Sequence, residues 1–569
     1  MDTITLTIDG QQVEVEQGAT LLEAARELGI EIPTLCYHPS LSLHGSCRVC
    51  VVEDAKSGRL LASCVAPVND GMEIVTNSSK ARIARRTNVE LLLANHPNDC
   101  LGCDRNGTCE LQDITHDLGI TRIDFEGEVR DLPVDDVGPS LKREPNKCIL
   151  CGRCVRVCEE VQGVSALEFT QRGFESIVTT GFDLPQSEVN CANCGQCATV
   201  CPTAAITENR CREKVWNVLD DDSKHVIVQT APSIQSTMGE EFGMEPGTVV
   251  TGKLAAALRR LGFDKVFSTD FAADLTIMEE GNEFIQRFKG KKKLPHITSC
   301  CPGWVKFCEH NYHDLIENLS SAKSPMSMFS SISKTYYAKK MGIDAEDVYT
   351  VAIMPCTAKK FEMNREELQE GGLETDAVLT TRELARMIKE MGIEFSTLED
   401  EEYDSILGTS TGAATIFGTT GGVTEAALRT VKEELTGESL DRLGLGFDGI
   451  QEASLEIGDQ TVNVVIANGL ANAAKILDEV RAGESKYDFI EVMACPKGCV
   501  GGGGQPLPTN DEIKKKRAQG LRNIDESGKV RKSHKNPEIK KLYDDFLGEP
   551  LSGESHHLLH TRYKKRDKN

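Results

Sequence analysis

The chain has 569 residues, 39% of them hydrophobic and 27% charged, with a formal net charge of −24. That length exceeds one ordinary core and predicts several globular domains, while the acidity argues against nucleic acid, whose phosphates need a basic footprint. No run approaches the ~18–20 apolar residues of a membrane span, and the start "MDTITLTIDG" shows neither a signal peptide nor a twin-arginine pair, so a cytoplasmic location is expected.

In a reducing compartment, 22 cysteines are poor disulfide candidates and point to metal. Residues 3–16, "TITLTIDGQQVEVE", alternate and turn at Asp9-Gly10, which predicts a β-hairpin; "ATLLEAARELGI" then reads as a short amphipathic helix. Hairpin then helix is a β-grasp opening. Cys36, Cys47, Cys50 and Cys64 follow as C-x10-C-x2-C-x13-C. Ligand count alone allows tetrahedral zinc. The wide loops and Gly45 suit a 2Fe–2S cluster better, because backbone N–H groups must wrap its edge. The spacing differs from plant ferredoxins and resembles the start of the large electron-transfer subunit of respiratory complex I.

Residues 80–95 read as a helix leading into His96, Cys100, Cys103 and Cys109, as H-x3-C-x2-C-x5-C. A lone histidine is usually surface or core, but one four residues before C-x2-C is a ligand candidate. A neutral imidazole in place of thiolate retunes a cluster's potential. Zinc is again the alternative; the spacing is similar to the His-ligated 4Fe–4S cluster of complex I. Next, "CILCGRCVRVCEE" supplies Cys148, Cys151, Cys154 and Cys158, and "CANCGQCATVCP" supplies Cys191, Cys194, Cys197 and Cys201. Two C-x2-C-x2-C-x3-C runs mark a two-cluster ferredoxin in which the fourth cysteine of each run ligates the other cluster. The expected sets are Cys148, Cys151, Cys154, Cys201 and Cys191, Cys194, Cys197, Cys158.

Past about residue 215 the texture becomes α/β. "HVIVQTAPSI", "DKVFSTD", "VYTVAIMPC" and "YDFIEVMACP" read as strands between amphipathic helices such as 252–262 and 380–391. Several of these strands run into cysteine motifs, the place where open α/β sheets put their chemistry. The Lys-rich tail from 511 is helical in pattern; its "HHLLH" could bind metal but reads as solvated surface. The predicted fold is a multidomain α+β and α/β chain. Its parts are a 2Fe–2S ferredoxin-like domain (1–78), a His/Cys3 4Fe–4S domain (79–120), a two-cluster ferredoxin (138–212), a catalytic domain (220–510) and a helical tail (511–569).

The remaining cysteines lie in "TSCCPGW" (298–304), "MPCTAKKFE" (354–362) and "MACPKGCVGGGGQP" (493–506). Cys301, Cys356, Cys495 and Cys499 could hold a further 4Fe–4S cluster. Glycines 501–504 lack a following GK[ST], so a nucleotide loop is a weak reading; close backbone approach to a bulky inorganic group is a better one. These three motifs, with the upstream modules and the terminal "GEPLSGESHHLLHTRY", resemble the FeFe hydrogenases over nearly the whole chain. The resemblance implies an H-cluster: a 4Fe–4S cubane joined to a diiron subcluster bearing CO, CN⁻ and a bridging azadithiolate. Cys301, Cys356, Cys495 and Cys499 match the cubane ligands, with Cys499 bridging to the diiron unit. Pro232, Ser233 and Lys359 match positions beside cyanide, and Met354 and Met493 positions beside the diiron site. An ammonium suits an anionic ligand, and thioethers suit a dry pocket for a small apolar gas. Without the cysteines, core packing would serve for the methionines and a surface role for Lys359.

With 19 cysteines assigned, Cys211, Cys300 and Cys308 remain. Cys211 and Cys308 read as small buried apolar residues. Cys300 is a free thiol next to a pinned ligand, and a thiol of ordinary pKa ~8.5 can relay protons. Glu280, Glu283 and Arg287 fall on one helical face; by resemblance they and Ser320 carry protons between solvent and Cys300. Two departures stand out: Lys497 where the family commonly has glycine, and Met326 where glutamine is common. The implied reaction is 2H⁺ + 2e⁻ ⇌ H₂, with four accessory clusters (one 2Fe–2S, three 4Fe–4S) feeding the H-cluster.

The front end resembles subunits that work with flavin-containing NAD(P)H-binding partners and small 2Fe–2S subunits. The chain itself has no dinucleotide fingerprint, so nicotinamide chemistry must come from such a partner; free ferredoxin is the alternative. Three rivals explain less. A non-catalytic iron–sulfur assembly protein would lack Cys300 and the His-ligated module, a complex I-like or formate dehydrogenase subunit leaves the distal motifs unexplained, and a hydrogen sensor needs a signalling domain that the sequence does not show.

Overall fold

The computed structural model describes residues 3–567. Thr3–Ile8 and Gln11–Glu16 pair antiparallel with Leu6 opposite Val13. The chain reverses at Asp9 and Gly10, both at positive φ (49° and 80°), as a tight hairpin turn requires. Leu6, Ile8 and Val15 face Leu21, Leu22 and Ala25 of helix Leu21–Glu27. A reciprocal cap between Thr20 and Glu23 starts that helix. Glu73–Val75 adds parallel to the first strand, and Val51–Asp54 and Arg59–Ala62 complete a five-stranded sheet. Helix Ser79–Ala94 is tied to this sheet by buried Arg85, whose guanidinium donates to the carbonyls of Val51 and Thr76.

The sequence repeat reappears as structure. Helices Arg153–Arg156 and Gln196–Val200 each start from a glycine at positive φ, Gly152 (70°) and Gly195 (71°). The strand pairs Leu141–Arg143 with Ile206–Glu208 and Glu168–Thr170 with Ile177–Thr179 flank them.

The catalytic region is built on two four-stranded sheets. The first runs Lys265–Ser268, His225–Thr230, Val348–Met354, Ala377–Thr380, all parallel. The second runs His296–Ile297, Phe489–Met493, Gln460–Asn468, Ile450–Ile457, with only the last strand antiparallel. Their continuous apolar runs are those of strands covered on both faces, and Ile227, Val228, Ile353 and Ile490 are fully buried.

The tail is an integral part of this body. Arg517 of helix Asp511–Ser527 is fully buried and holds Glu240 and the carbonyls of Val500 and Pro506. Arg429 grips Asp525 through two 2.8 Å bonds. The solvated reading of "HHLLH" needs correction. His556 and His557 are exposed, but helix Gly553–Leu559 turns His560 into the interior, where its side chain is 1% exposed. The apolar Leu558 and Leu559 set that face, and the third histidine follows them inward. Among the described residues no helix is long and apolar enough to cross a membrane.

Candidate active site and cluster chain

Strand ends from both sheets meet at one apolar cavity. The first sheet delivers Pro232 and Ser233 after His225–Thr230, and Met354, Cys356 and Lys359 after Val348–Met354. The second delivers Cys300 and Cys301 after His296–Ile297, and Met493, Cys495 and Cys499 after Phe489–Met493. All ten expected residues therefore line one space, as does Met326. Met354 and Met493 border this space while also packing in the cores beside the two sheets, and Lys359 is buried rather than on the surface.

The four expected cubane cysteines make a donor set that a cluster fits. Burial raises the thiols of Cys301, Cys356, Cys495 and Cys499, and each of the last three is raised further by its cysteine neighbours. Four thiolates lining one cavity need a cationic centre to offset their mutual repulsion. Cys301 Sγ also accepts from the amide of Ala494 at 3.5 Å. Lys359 Nζ donates to Glu362 (2.7 Å), Ser324 Oγ (2.7 Å) and the carbonyl of Cys300 (3.3 Å). Glu362 is a site residue that the motif reading misses; its signal in the sequence is the i,i+3 spacing from Lys359.

Cys300 also borders the cavity, and burial together with the neighbouring charge of Glu280 pushes its thiol well above the usual value. Glu280, Glu283 and Arg287 share helix Asp270–Gly290. Ser320 Oγ donates to Glu283 at 2.9 Å, and Arg287 holds Glu283 at 2.6 Å. Glu280 is 1% exposed, and neither carboxylate oxygen is hydrogen-bonded by the protein, the nearest cationic candidate being His296 Nε2 at 3.6 Å.

Upstream, two smaller cavities are each ringed by four cysteines. One is bordered by Cys148, Cys151, Cys154 and Cys201, the other by Cys158, Cys191, Cys194 and Cys197. The fourth cysteine of each run thus sits with the first three of the other. Backbone amides point at the sulfurs, with Leu150 N to Cys148 at 3.4 Å and Asn193 N to Cys191 at 3.3 Å. In the first module Cys36 lies within hydrogen-bonding reach of Cys47 and Cys64, and Cys50 of Cys64. His96 is buried with Nε2 unpartnered, while Nδ1 accepts from the Asn98 amide. An orphaned imidazole nitrogen, close in sequence to Cys100, Cys103 and Cys109, has the lone pair that a metal ligand needs.

The modules touch in a definite order. Gln196 Nε2 donates to Gly501 O, Gln162 Nε2 to Ala494 O, and Thr357 Oγ1 to Asn193 O, so the second ring abuts the catalytic cavity. Arg156 of the first ring donates to the carbonyl of Cys36, and Glu110 N donates to Pro202 O. Both front modules therefore reach the first ring. Glycines 501–504 pack against other backbone: a Cβ on Gly502 would lie 2.2 Å from Pro355 O, and one on Gly503 2.6 Å from Cys194 O. The close approach expected of them is thus made to the neighbouring loops.

Lys497, which stands where the family commonly has glycine, turns away from the cavity. Its ammonium pairs with Asp448 and lies 3.4 Å from Asp511, and it does not border the cavity. Cys308 is buried, and Cys211 is partly buried against the first sheet's core.

Residues 224–503 match the family model for the C-terminal domain of the iron only hydrogenase large subunit, and 511–566 that for the iron hydrogenase small subunit. The front matches a 2Fe-2S iron-sulfur cluster binding domain (1–79), the NADH-ubiquinone oxidoreductase-G iron-sulfur binding region (85–124) and a 4Fe-4S dicluster domain (147–205). The NADP-reducing hydrogenase subunit HndD of Solidesulfovibrio fructosivorans is 49% identical over the full length of both chains. The chain belongs to the FeFe hydrogenases. Iron hydrogenase 1 of Clostridium pasteurianum is 41% identical over 99% of this chain and 100% of its own. The structure of apo [FeFe]-hydrogenase HydA1 from Chlamydomonas reinhardtii superposes with a TM-score of 0.57 at 42% identity, covering 63% of this chain and 99% of that one. As an FeFe hydrogenase the protein is an oxidoreductase acting on H₂, with iron–sulfur domains for electron relay.

Proposed function

We propose that this hydrogenase is the hydrogen-activating subunit of a cytoplasmic complex that exchanges electrons with NADP(H) through flavin-containing and small 2Fe–2S partner subunits. The observation that carries this reading is the ordered contact of the cysteine rings with a front end built to receive electrons, in a chain without a nucleotide fingerprint. The NADP-reducing character of HndD supports the choice of NADP. In this reading the domains fall at 1–78, 79–120, 138–212, 220–510 and 511–569, the first being a β-grasp.

Cys36, Cys47, Cys50 and Cys64 would hold a 2Fe–2S cluster, and His96 with Cys100, Cys103 and Cys109 a 4Fe–4S cluster. The two crossed rings would hold two more. Both front clusters would deliver to the Cys148 ring, and the Cys191 ring would pass electrons to the cavity. Cys301, Cys356, Cys495 and Cys499 would hold the H-cluster, which when bound supplies the metal chemistry of H₂ formation and cleavage. Pro232, Ser233 and Lys359 would position its cyanides, and the Glu362 carboxylate keeps the Lys359 ammonium charged and aimed. Met354 and Met493 keep that wall apolar and exclude water. Cys300 holds a proton at Sγ. Glu280, Ser320, Glu283 and Arg287 carry protons to and from it, with Glu283 fixed by the Ser320 hydroxyl and the Arg287 guanidinium.

Anaerobic purification of the native complex tests the partner. The expected result is co-purification with a flavoprotein, NADP⁺ reduction under H₂ only in the complex, and viologen-linked turnover in the isolated chain. Full activity of the isolated chain with ferredoxin, and none with NADP⁺ in any complex, would overturn it.

A further inference from the structure

Two hydrogen bonds from Glu283, through Ser321, lies a residue that the relay does not use. His560 is carried by the C-terminal segment yet buried beside helix Asp270–Gly290. Its Nε2 lies 2.9 Å from Glu279 Oε2, and its Nδ1 lies 2.9 Å from Ser321 Oγ. Ser321 Oγ lies 3.2 Å from Glu283 Oε1, and its amide also donates to Glu283, at 3.0 Å. Glu279 is fully buried and accepts from the Tyr543 hydroxyl and the Leu551 amide as well. Three donors converge on it, so His560 faces it with Nε2–H and presents Nδ1 to the serine.

His560 is held on both ring nitrogens, as a buried imidazole requires, and its second partner is a hydroxyl that also reaches the relay carboxylate. Hydroxyls rotate, so Ser321 can donate either to Nδ1 or to Glu283.

We propose that His560, fixed by Glu279, is a proton store for the relay that exchanges protons with Glu283 through the Ser321 hydroxyl. Inward, the Nδ1–H bond of the imidazolium breaks as an Oγ–H bond forms, and the original Oγ–H proton passes to Glu283 Oε1. The net change is one proton from imidazolium to carboxylate, with both groups neutralised and the serine regenerated. Outward, the same steps reverse. H₂ needs two protons per turnover, and a single relay delivers them one at a time; a filled store reached through one serine hydroxyl supplies the second. Because the His560 side chain is 1% exposed, it fills and empties through Glu283. The groups facing it are Glu279 and Glu283 from the long helix, Tyr543, and His556, whose ring stacks on it at 4.7 Å. Arg287 balances Glu283 from beyond. This proposal rests on the relay reading of Glu283.

The test uses the holoenzyme with CO and CN⁻ infrared bands verified in every variant, reading H₂ turnover with viologen across pH and the infrared carboxyl band of Glu283. Ser321→Ala and His560→Gln should each slow turnover several-fold, the double variant no further than either alone. Ser321→Thr should restore it. In His560→Gln the Glu283 band should titrate at higher pH, since a neutral amide replaces a group that can be cationic. Wild-type rates in Ser321→Ala, or additive losses, would overturn the store. Glu283→Gln separates the layers: if it is slow while Ser321→Ala and His560→Gln are not, only the store fails, and if it is fast the relay itself fails.

Discussion

Arg382 grips Glu208 through its Nη2 at 2.6 Å and Nε at 3.2 Å, and the same guanidinium donates to the carbonyls of Gly503 and Gln505. One side chain thus ties the last strand of the two-cluster module to the glycine loop of the catalytic cavity. The cation holds the buried Glu208 carboxyl far below its ordinary value of 4.5. A depressed folded value contributes stability above pH 4.5 that is lost as the pH falls, and the loss stays incomplete well below that point. Glu208→Ala leaves Arg382 buried and unpaired, at a cost of about 3–5 kcal/mol. Thermal melts should show the module detaching at lower temperature in the variant, and the wild-type advantage shrinking in acid.

The ion pair of Lys497 with Asp448 gives a second expectation, since a nearby cation acts on a cluster only if it points inward. A lysine two residues from each of two ligands should raise the potential of an anionic cluster. Its charge is instead compensated by Asp448 and Asp511, away from the cavity. Lys497→Gly should leave the H-cluster midpoint unchanged in infrared spectroelectrochemistry, whereas Asp448→Asn, which uncovers the charge, should raise it. The backbone at Lys497 is left-handed (φ 64°), so glycine suits this position sterically.

These two cases mark where sequence is legible and where it is not. Cysteine spacing and strand period are local, and they lead directly to the crossed rings and to the strand ends that meet at the cavity. The direction of a long flexible side chain is not local. Lys497 has two ligands as chain neighbours, but the carboxylates that capture it come from residues 448 and 511. The polar motif around His560 suggests solvent, yet Leu558 and Leu559 fix the helix face and Glu279 compensates the burial. Glu362 is within reach of a helical-spacing argument, but nothing in the spacing distinguishes it from any other surface ion pair until Lys359 is found at the cavity.

His96 carries the third expectation. With Nδ1 engaged by the Asn98 amide and Nε2 orphaned in the interior, the ring has one nitrogen to offer a cluster. His96→Cys replaces a neutral ligand with an anion, so a cluster should persist with a lower reduction potential. EPR-monitored titration reads the shift. An unchanged set of potentials and spectra would remove His96 from the ligands.

Adjacent cysteines with opposite roles give the sharpest test. Cys301 accepts an amide hydrogen bond within the set of four cysteines that line the cavity, while Cys300 borders the same cavity and feels the Glu280 carboxyl. Substitution by serine removes little bulk at either position, so only chemistry separates the outcomes. Cys301→Ser should impair cluster assembly, seen as lost iron and weakened CO and CN⁻ bands. Cys300→Ser should keep those bands and lose most viologen-driven H₂ evolution, since an alcohol gives up its proton far less readily than a thiol. Cys300→Asp should recover part of the rate because a carboxyl both takes and releases protons. Turnover near the wild-type rate in Cys300→Ser would reduce the residue to packing, and the relay would then have to reach the cavity by another atom.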